Sequence, residues 1–253
     1  MLTDKELLRY NRQLLLPEFD IAGQERLLAS RVLVVGLGGL GCPAALYLGA
    51  AGVGELLLAD GDHVELGNLQ RQVAHGEQDI GANKARSALE AVSALNREIK
   101  VEAIETRLTA AAMYALAARV DLVLDATDNY PARFALNRAC IAAGVPLLSA
   151  AAVRTEGQLA LFDPTRGGPC YRCLYHESGE TTALSCSASG VMAPLVGVIG
   201  SLLAMEAVKV LTGFGVTLRG KLLVMDLRTM DIRKLALAPR QNCPDCAHLD
   251  AQK

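Results

Sequence analysis

Two pairs of cysteines are candidates for chemistry in this sequence. The segments CYRC and CPDC place Cys170 with Cys173 and Cys243 with Cys246, each pair separated by two residues. This spacing lets a short turn present two thiolates to one ion, and four thiolates complete the tetrahedral coordination that Zn²⁺ prefers. A redox-active pair or a coincidence are the alternatives. The spacing therefore predicts a closed, structural zinc site that fastens the end of the chain to its middle.

A glycine-rich turn indicates a second kind of site, one for nucleotide phosphates. The segment RVLVVGLGGLG leads from an apolar strand into the pattern G-x-G-x-x-G, at Gly36, Gly38 and Gly41. These glycines permit a tight turn, let backbone N–H groups approach a phosphate, and let the next helix pack on the strand. Asp60 ends the following strand, where a carboxylate accepts hydrogen bonds from ribose hydroxyls. Alone, these residues suit NAD as well as ATP.

Charged residues beyond Asp60 bear on that choice. Arg71 and Lys84 follow it in sequence, and a triphosphate needs cations more than the pyrophosphate of a dinucleotide does. Two solvated surface charges are the alternative. Asp128, in the segment DATDN at the end of an apolar strand, is placed to hold Mg²⁺. Its alternative is to cap the helix that begins near Pro131, and the two roles are compatible.

The remaining cysteines differ in their surroundings. Cys186 lies in a segment rich in Gly, Ser and Thr (residues 176–190), which predicts a mobile loop. A thiol in such a loop is either a nucleophile or an inert cysteine. Cys42 and Cys140 lie in apolar helices and are predicted to be packing residues.

The elements that must position these residues follow from the alternation of apolar segments. Strands and helices alternate over residues 31–152, which predicts an α/β fold with a Rossmann-like, doubly wound and mainly parallel sheet. The segment GQLALFD falls outside the parallel series, and KLLVMD with DIRKLAL predicts a C-terminal antiparallel pair. At the other end of the chain, Thr3 and Glu6 predict a capping box at the first helix.

Composition restricts the class of protein further. A chain of 253 residues with 51% hydrophobic residues can bury a large core, and a net charge of −2 indicates neither nucleic acid nor a membrane as partner. The N-terminus is charged from its fourth residue and predicts no signal peptide. The most apolar run, residues 191–205, is shorter than the roughly 20 residues that span a bilayer, so we expect a core or subunit-interface helix. We expect a cytoplasmic protein with reduced cysteines.

Eight ordered segments resemble the ubiquitin-activating-like adenylyltransferases, the HesA/MoeB/ThiF family, over essentially the whole chain. They are RYNRQLLLPEFDIAGQERL, VLVVGLGGLGCP, LLLADGDHVELGNLQRQ, GANKA, DATDN, CYRC, SCSASGVMAPLVGVIGSLLAMEAVK and CPDC. The resemblance implies ATP-dependent adenylation of the C-terminal glycine of a small ubiquitin-like sulfur-carrier protein that ends in Gly-Gly. The small subunit of molybdopterin synthase is the expected carrier, and the thiamine sulfur carrier is the alternative. An NAD-dependent oxidoreductase and a non-catalytic scaffold are the remaining hypotheses.

The resemblance also implies roles for individual residues. Asp60 would bind the ribose, Arg71 and Lys84 would neutralise the phosphates, and Asp128 would hold Mg²⁺. Arg12 would reach into the site of a second subunit, which makes a homodimer the active unit. The other residues expected at the nucleotide are Gly36, Gly38, Gly39, Gly41 and Asn68. Cys186 matches a position that forms a covalent link to the carrier in some relatives, and the paired cysteines match the zinc ligands of the family.

The resemblance further implies a single adenylyltransferase domain over residues 1–253. Within it we expect an N-terminal helical arm (1–30), a nucleotide-binding core (31–152) and an extension that binds the carrier protein and zinc (153–253). Some relatives continue into a rhodanese domain that delivers sulfur. We expect none here, so sulfur would come from a separate donor.

Overall fold

One sheet organises the molecule. The structure is a computed structural model that describes residues 1–177 and 189–250. Its strands are β1 (Arg31–Val35), β2 (Glu55–Ala59), β3 (Lys100–Ile104), β4 (Leu122–Asp125), β5 (Leu147–Val153), β6 (Glu156–Phe162), β7 (Lys221–Asp226) and β8 (Asp231–Ala236). Their order in the sheet is β3-β2-β1-β4-β5-β6-β7-β8. The first five run parallel and the last three pair antiparallel, as the sequence predicts.

Helices cover both faces of the parallel strands. They are α1 (Asp4–Arg9), α2 (Asn11–Leu14), α3 (Asp20–Ala29), α4 (Gly41–Ala51), α5 (Lys84–Leu95), α6 (Ala110–Ala117), α7 (Tyr130–Ala143), α8 (Tyr171–Leu174), α9 (Ala193–Thr212) and α10 (Ala247–Asp250). Apolar residues of α4, α5 and α9 pack on one face, and those of α6 and α7 pack on the other. Because both faces are covered, β1 and β4 are apolar at nearly every position rather than at every second one. The doubly wound architecture is confirmed.

The long apolar helix α9 is a core helix. It spans 20 residues, so the expectation that its apolar run is too short to cross a bilayer was wrong. By length and composition α9 passes as a membrane span, the one helix among the described residues that does. Half of its most apolar stretch is nevertheless buried inside the protein, and Leu195, Ile199 and Leu203 are at most 1% exposed. The predicted core packing is confirmed.

Several local predictions are also confirmed. Thr3 and Glu6 form the capping box, with the Thr3 N–H donating to the Glu6 carboxylate at 2.7 Å. Cys42 and Cys140 are buried, and burial raises the pKa of the Cys42 thiol to about 12. The sheet continues from β5 into β6 across the expected boundary at residue 152, and the division into arm, core and extension stays a prediction. Cys186 and most of its predicted loop lie outside the described residues.

Candidate active site and candidate metal centre

Most of the predicted nucleotide residues line one cleft at the C-terminal ends of the parallel strands. We call it the strand-end cleft, and its volume is about 1120 Å³. It opens where the strand order reverses on either side of β1, the usual ligand position in an open α/β sheet. The predicted residues that line it are Gly36, Gly38, Gly39, Asp60, Asn68, Arg71, Lys84 and Asp128.

The glycine turn after β1 fits tightly between the strand ends and α4. Gly36 has a φ of +91°, and a Cβ there would lie 2.8 Å from the carbonyl oxygen of Ala126. A Cβ on Gly41 would lie 1.8 Å from the carbonyl oxygen of Gly36. Gly41 is therefore required for close packing of α4 on the turn, and it is absent from the cleft lining. Gly36 and Gly41 are thus required by the backbone of the turn, whereas a Cβ on Gly38 would meet only the Gln72 amide nitrogen, at an ordinary 3.7 Å.

Asp60 orders this turn from the end of β2. One oxygen of its carboxylate accepts the N–H of Leu37 at 2.7 Å, and the other accepts the N–H of Asp62 at 2.8 Å. A carboxylate has about four acceptor positions, so each oxygen retains capacity for a further donor. Asp60 can therefore bind ligand hydroxyls while it holds the turn in place.

A buried histidine that the sequence analysis missed lies between the same turn and α5. Nε2 of His75 lies 3.1 Å from the carbonyl oxygen of Leu37, and Nδ1 lies 2.8 Å from Oγ of Ser87 on α5. Burial lowers the pKa of His75 below its ordinary value, which favours the neutral ring. His75 thereby connects the glycine turn to the helix that carries Lys84.

Lys84 occupies an electrostatically unfavourable position. It is the first residue of α5, at the positive end of the helix, and it is only 8% exposed. Its Nζ lies 3.7 Å from Asp62, whose other oxygen accepts a hydrogen bond from Arg107 at 2.9 Å. These two cations, Arg107 foremost, hold the pKa of Asp62 below its usual range. Lys84 is buried, lines the cleft and has one long ion pair, so its ammonium group can still interact with a bound anion. This argues against the alternative of a solvated surface charge.

The segment after β2 brings further polar groups over the cleft. Arg71 is half-buried and donates to the carbonyl oxygen of Gly67 at 3.0 Å, and the Asn68 side chain accepts the N–H of Glu65 at 3.3 Å. Gln72, which was not predicted, is 4% exposed, and its Oε1 has no hydrogen-bond partner among the described residues. An amide left with a buried, unpaired oxygen indicates a place built for a bound group.

Asp128 has a free carboxylate at the cleft. The helix-capping alternative for it was wrong, because Asn129 is the N-cap of α7 and accepts the N–H of Ala132 at 3.0 Å. Asp128 is exposed, and its one hydrogen bond among the described residues is a long one, 3.4 Å, from the Asn129 amide. The carboxylate is thus available to a cation at the end of β4.

Three cleft arginines escaped the sequence analysis, namely Arg107, Arg133 and Arg154. Arg133 is buried and donates to the carbonyl oxygens of Thr127 and Ala150, which fastens the end of β4 to β5. Arg107 and Arg154 come just after β3 and β5. Their positions immediately beyond strand ends were the available signal, since such residues face the crevice of an open sheet.

Besides Gly41, one predicted residue among those described is not brought to the cleft. Arg12 is exposed on α2 and does not line the cleft of its own chain, so its predicted role in a second subunit stays a prediction. Cys186 lies outside the residues that the structure describes.

The four paired cysteines meet in one group, which we call the cysteine cluster. Their sulfurs all lie within 4.8 Å of one another. The closest pairs are Cys170 with Cys243 at 3.5 Å, Cys173 with Cys246 at 3.6 Å, and Cys170 with Cys173 at 3.8 Å. Four sulfurs at about 2.3 Å from one Zn²⁺ lie roughly 3.8 Å apart in a tetrahedron. The donor set and its spacing fit a closed metal site, with four thiolates and no position left for a substrate.

Polar contacts anchor the cysteine cluster to α7. Asp245, between the second pair of cysteines, accepts hydrogen bonds at 2.9 Å from Asn137 of α7 and from Arg172 of α8. Asn137 also accepts the N–H of Tyr171 at 2.8 Å. The same helix that begins beside Asp128 therefore holds both cysteine pairs.

Comparisons with known proteins agree with this architecture. The model of the ThiF family matches residues 10–245. Molybdopterin-synthase adenylyltransferase of Escherichia coli is 51% identical over 245 residues, which cover 97% of this chain and 98% of that protein. Sulfur carrier protein ThiS adenylyltransferase of E. coli is 44% identical over 250 residues, 99% of each chain. The solved structure of E. coli MccB with ATP has a TM-score of 0.80 at 23% identity, covers 89% of this chain and 68% of that one, and shows the shared fold.

The fold and the strand-end cleft are typical of nucleotide-binding α/β enzymes, and the separate cysteine cluster could hold a metal ion. The chain belongs to the ThiF family, and within that family it is an adenylyltransferase. This membership implies ATP as the reactant and Mg²⁺ as its accompanying metal ion, and it decides against the oxidoreductase hypothesis.

Proposed function

We propose that the chain adenylates the C-terminal glycine of a small ubiquitin-like sulfur-carrier protein, the small subunit of molybdopterin synthase. The observation that carries the proposal is the 51% identity with molybdopterin-synthase adenylyltransferase over nearly the full length of both chains. The product would then be ready for conversion to a thiocarboxylate, with sulfur supplied by a separate donor. The cytoplasm is the expected location.

In the proposed reaction an oxygen of the carrier's terminal carboxylate attacks the α-phosphorus of ATP. The bond from that phosphorus to the bridging oxygen breaks, and pyrophosphate leaves with the electron pair. Because the nucleophile is already ionised at neutral pH, no strong base of the enzyme is needed. Catalysis then consists of positioning the reactants and stabilising charge on the phosphates.

The cleft residues suit these tasks. Asp60 would accept the ribose hydroxyls while it holds the glycine turn, and Asn68 and the turn glycines would lie along the nucleotide. Arg71 and Lys84 would balance charge that develops on the phosphates. Because the contact of Lys84 with Asp62 is long, 3.7 Å, breaking it would cost little free energy. Asp128 would hold Mg²⁺, which when bound neutralises phosphate charge.

The cysteine cluster would hold one structural Zn²⁺. All four ligands are then thiolates, so the ion has no open position and contributes to folding rather than to catalysis. Its place between α7, α8 and the C-terminal segment would keep the extension folded against the nucleotide-binding core.

The proposal is tested by exchange of radiolabelled pyrophosphate into ATP. The chain is expected to support exchange with the molybdopterin synthase small subunit and to lose it when the carrier lacks its terminal glycine. The 44% identity with ThiS adenylyltransferase makes the thiamine carrier the second candidate, assayed in parallel. Exchange with the thiamine carrier alone would transfer the function to that pathway, and exchange with neither would contradict the proposal.

Homodimeric action is tested by mixing two inactive variants. If Arg12 acts in the partner's site, both Arg12→Ala and Asp128→Ala homodimers lose exchange. Subunit exchange between them creates dimers in which one site has both residues, so about a quarter of wild-type activity is expected to return, because half of the dimers are mixed and one of their two sites is intact. Mixtures that stay inactive although subunits exchange would show that Arg12 acts within its own chain.

A further inference from the structure

The β5–β6 hairpin contains a residue in a conformation that its type disfavours. Val153 pairs with Glu156, so the turn consists of Arg154 and Thr155 alone. Two-residue hairpin turns require a positive φ at their first position, where glycine, asparagine or aspartate are preferred. Arg154 has a φ of +55° there. A side chain kept at a glycine-like position points to a use for that side chain.

Both backbone groups of Arg154 are held by the segment that leads into α9. Its N–H donates to the carbonyl oxygen of Gly190, and its carbonyl oxygen accepts the N–H of Met192, each at 2.9 Å. The segment that leads into α9 therefore holds the strained backbone of Arg154 in place through both of its polar groups.

The guanidinium of Arg154 differs from the other cations of the strand-end cleft. Lys84 and Arg107 pair with Asp62, Arg133 pairs with Asp125, and Arg71 donates to a carbonyl oxygen. Among the described residues Arg154 has no side-chain hydrogen bond or ion pair, and no ion pair joins it to nearby Glu156. It lines the cleft, and the residue is exposed. Its five N–H donors are available to a ligand.

Arg154 lies on a turn that projects beyond the end of β4, the strand that precedes Asp128. Asp125, the last residue of β4, pairs with Ser149, and β5 continues through residues 150–153 before the turn. At about 3.3 Å per residue, the turn projects roughly 13 Å beyond the end of β4. The turn therefore carries Arg154 to a part of the cleft lining beyond the strand ends.

The chemistry of a Gly-Gly tail matches these free donors. Two glycines have no side chains, so an enzyme can recognise them only through main-chain groups. The oxygens of the last peptide bonds and of the terminal carboxylate are all acceptors, and an arginine presents several donors in one plane.

We propose that Arg154 binds main-chain oxygens of the carrier's C-terminal tail and so positions the terminal carboxylate for attack. The assignment rests on the proposed function, since it names the residue of the same cleft that receives the second substrate. On the proposed function, ATP would be held by the glycine turn, Arg71 and Lys84 instead. Arg154 is thus a positioning residue for the carrier and not for the nucleotide.

The test is carrier-dependent pyrophosphate exchange by the full-length, metal-loaded protein. Arg154→Gln keeps the side-chain length and removes the charge, and it is expected to raise KM for the carrier about 10- to 100-fold while KM for ATP stays within about twofold. Arg154→Lys is expected to recover part of this loss. Arg119→Gln, just before β4 and outside the cleft lining, removes a charge together with its ion pair to Glu102 and is expected to leave both KM values unchanged.

Arg154→Gly separates function from stability. Glycine adopts the positive φ without strain, so Tm is expected to stay level or rise by up to about 4 °C while KM for the carrier rises as in Arg154→Gln. Met230→Gly, at the exposed residue with a φ of +61° in the β7–β8 turn, shows how much strain relief alone changes Tm.

The outcomes separate this assignment from the proposed function. If the wild-type protein exchanges pyrophosphate and the Arg154 variants keep the wild-type KM for the carrier, the assignment is wrong and the proposed function stands. An equal rise of both KM values would assign Arg154 to the nucleotide instead. A lower Tm in Arg154→Gly than in wild type would show a structural role. Absence of exchange in the wild type would remove the proposed function itself.

Discussion

The strand-end cleft and the cysteine cluster hold reactive groups in opposite ways. In the cleft, Asp60 and Lys84 make some contacts within the protein and keep capacity for a ligand, and Asp128 is exposed. In the cluster, four sulfurs converge on one point, and Cys170 and Cys243 are at most 1% exposed. Side chains in the cleft that can still bind a ligand suit a reaction. Four cysteines that can only bind one buried ion suit a structural role. Helix α7 joins them, since it begins beside Asp128 and holds the cluster through Asn137.

The comparison predicts that damage to the cluster acts on the fold. Cys243→Ser removes one of four thiolates, and structural Zn²⁺ contributes a binding free energy of roughly 10–16 kcal/mol at neutral pH. We expect loss of the metal and the largest fall in unfolding free energy of any substitution considered. Metal analysis should find about one Zn²⁺ per wild-type chain, and thermal melts should report the stability. Cys140→Ala, a buried cysteine outside the cluster, should keep the metal, and a metal-free wild-type protein of full stability would contradict the comparison.

Damage to the cleft should act on the reaction instead. Asp128→Ala is expected to lower the exchange rate about 10²- to 10³-fold, because charge on the phosphates loses its counterion, while Tm changes little because the side chain is exposed. Asn129→Ala is the adjacent control. It removes the cap of α7 and should cost about 1 kcal/mol of stability with a much smaller loss of exchange. A large fall of Tm in Asp128→Ala would show that Asp128 has a structural role.

His75 has features of both regions, because it is buried like the cysteine cluster but contacts the glycine turn of the cleft. Burial lowers its pKa in the folded protein below the ordinary 6.5, so below that pH the unfolded chain takes up a proton that the fold excludes. Stability from this group is present above pH 6.5 and is lost as pH falls, by up to about 1.4 kcal/mol per pH unit. His75→Gln should lose this dependence, as followed by denaturant unfolding at several pH values. An equally steep loss in the variant would assign the slope to other groups.

Sequence patterns were sufficient for features that depend on local order. Buried parallel strands are continuous apolar runs, which identifies them in the sequence. The pattern G-x-G-x-x-G followed by Asp60 is sufficient to predict the glycine turn. The pairing of Cys170–Cys173 with Cys243–Cys246 was predictable despite their distance, because four thiolates have one common chemical use.

Features that depend on tertiary neighbours were not predictable. Nothing in the sequence places His75 under the glycine turn or the Arg133 side chain across two strands. Whether Asp128 or Asn129 caps α7 depends on the exact residue at which the helix begins. The helix begins at Tyr130, so Asn129 is the cap. The position of Arg154 just beyond β5 was a sequence signal that it faces the cleft, but its backbone angle and its missing partner have no sequence pattern.

Intact-mass spectrometry of the carrier tests the central claim most directly. After incubation of the metal-loaded protein with ATP, Mg²⁺ and the molybdopterin synthase small subunit, the carrier is expected to gain the mass of one adenylyl group at its C-terminal glycine. The gain should be absent when the carrier lacks that glycine or the enzyme is Asp128→Ala. A carrier that binds the protein and retains its unmodified mass would contradict the account and favour a scaffold without catalytic activity.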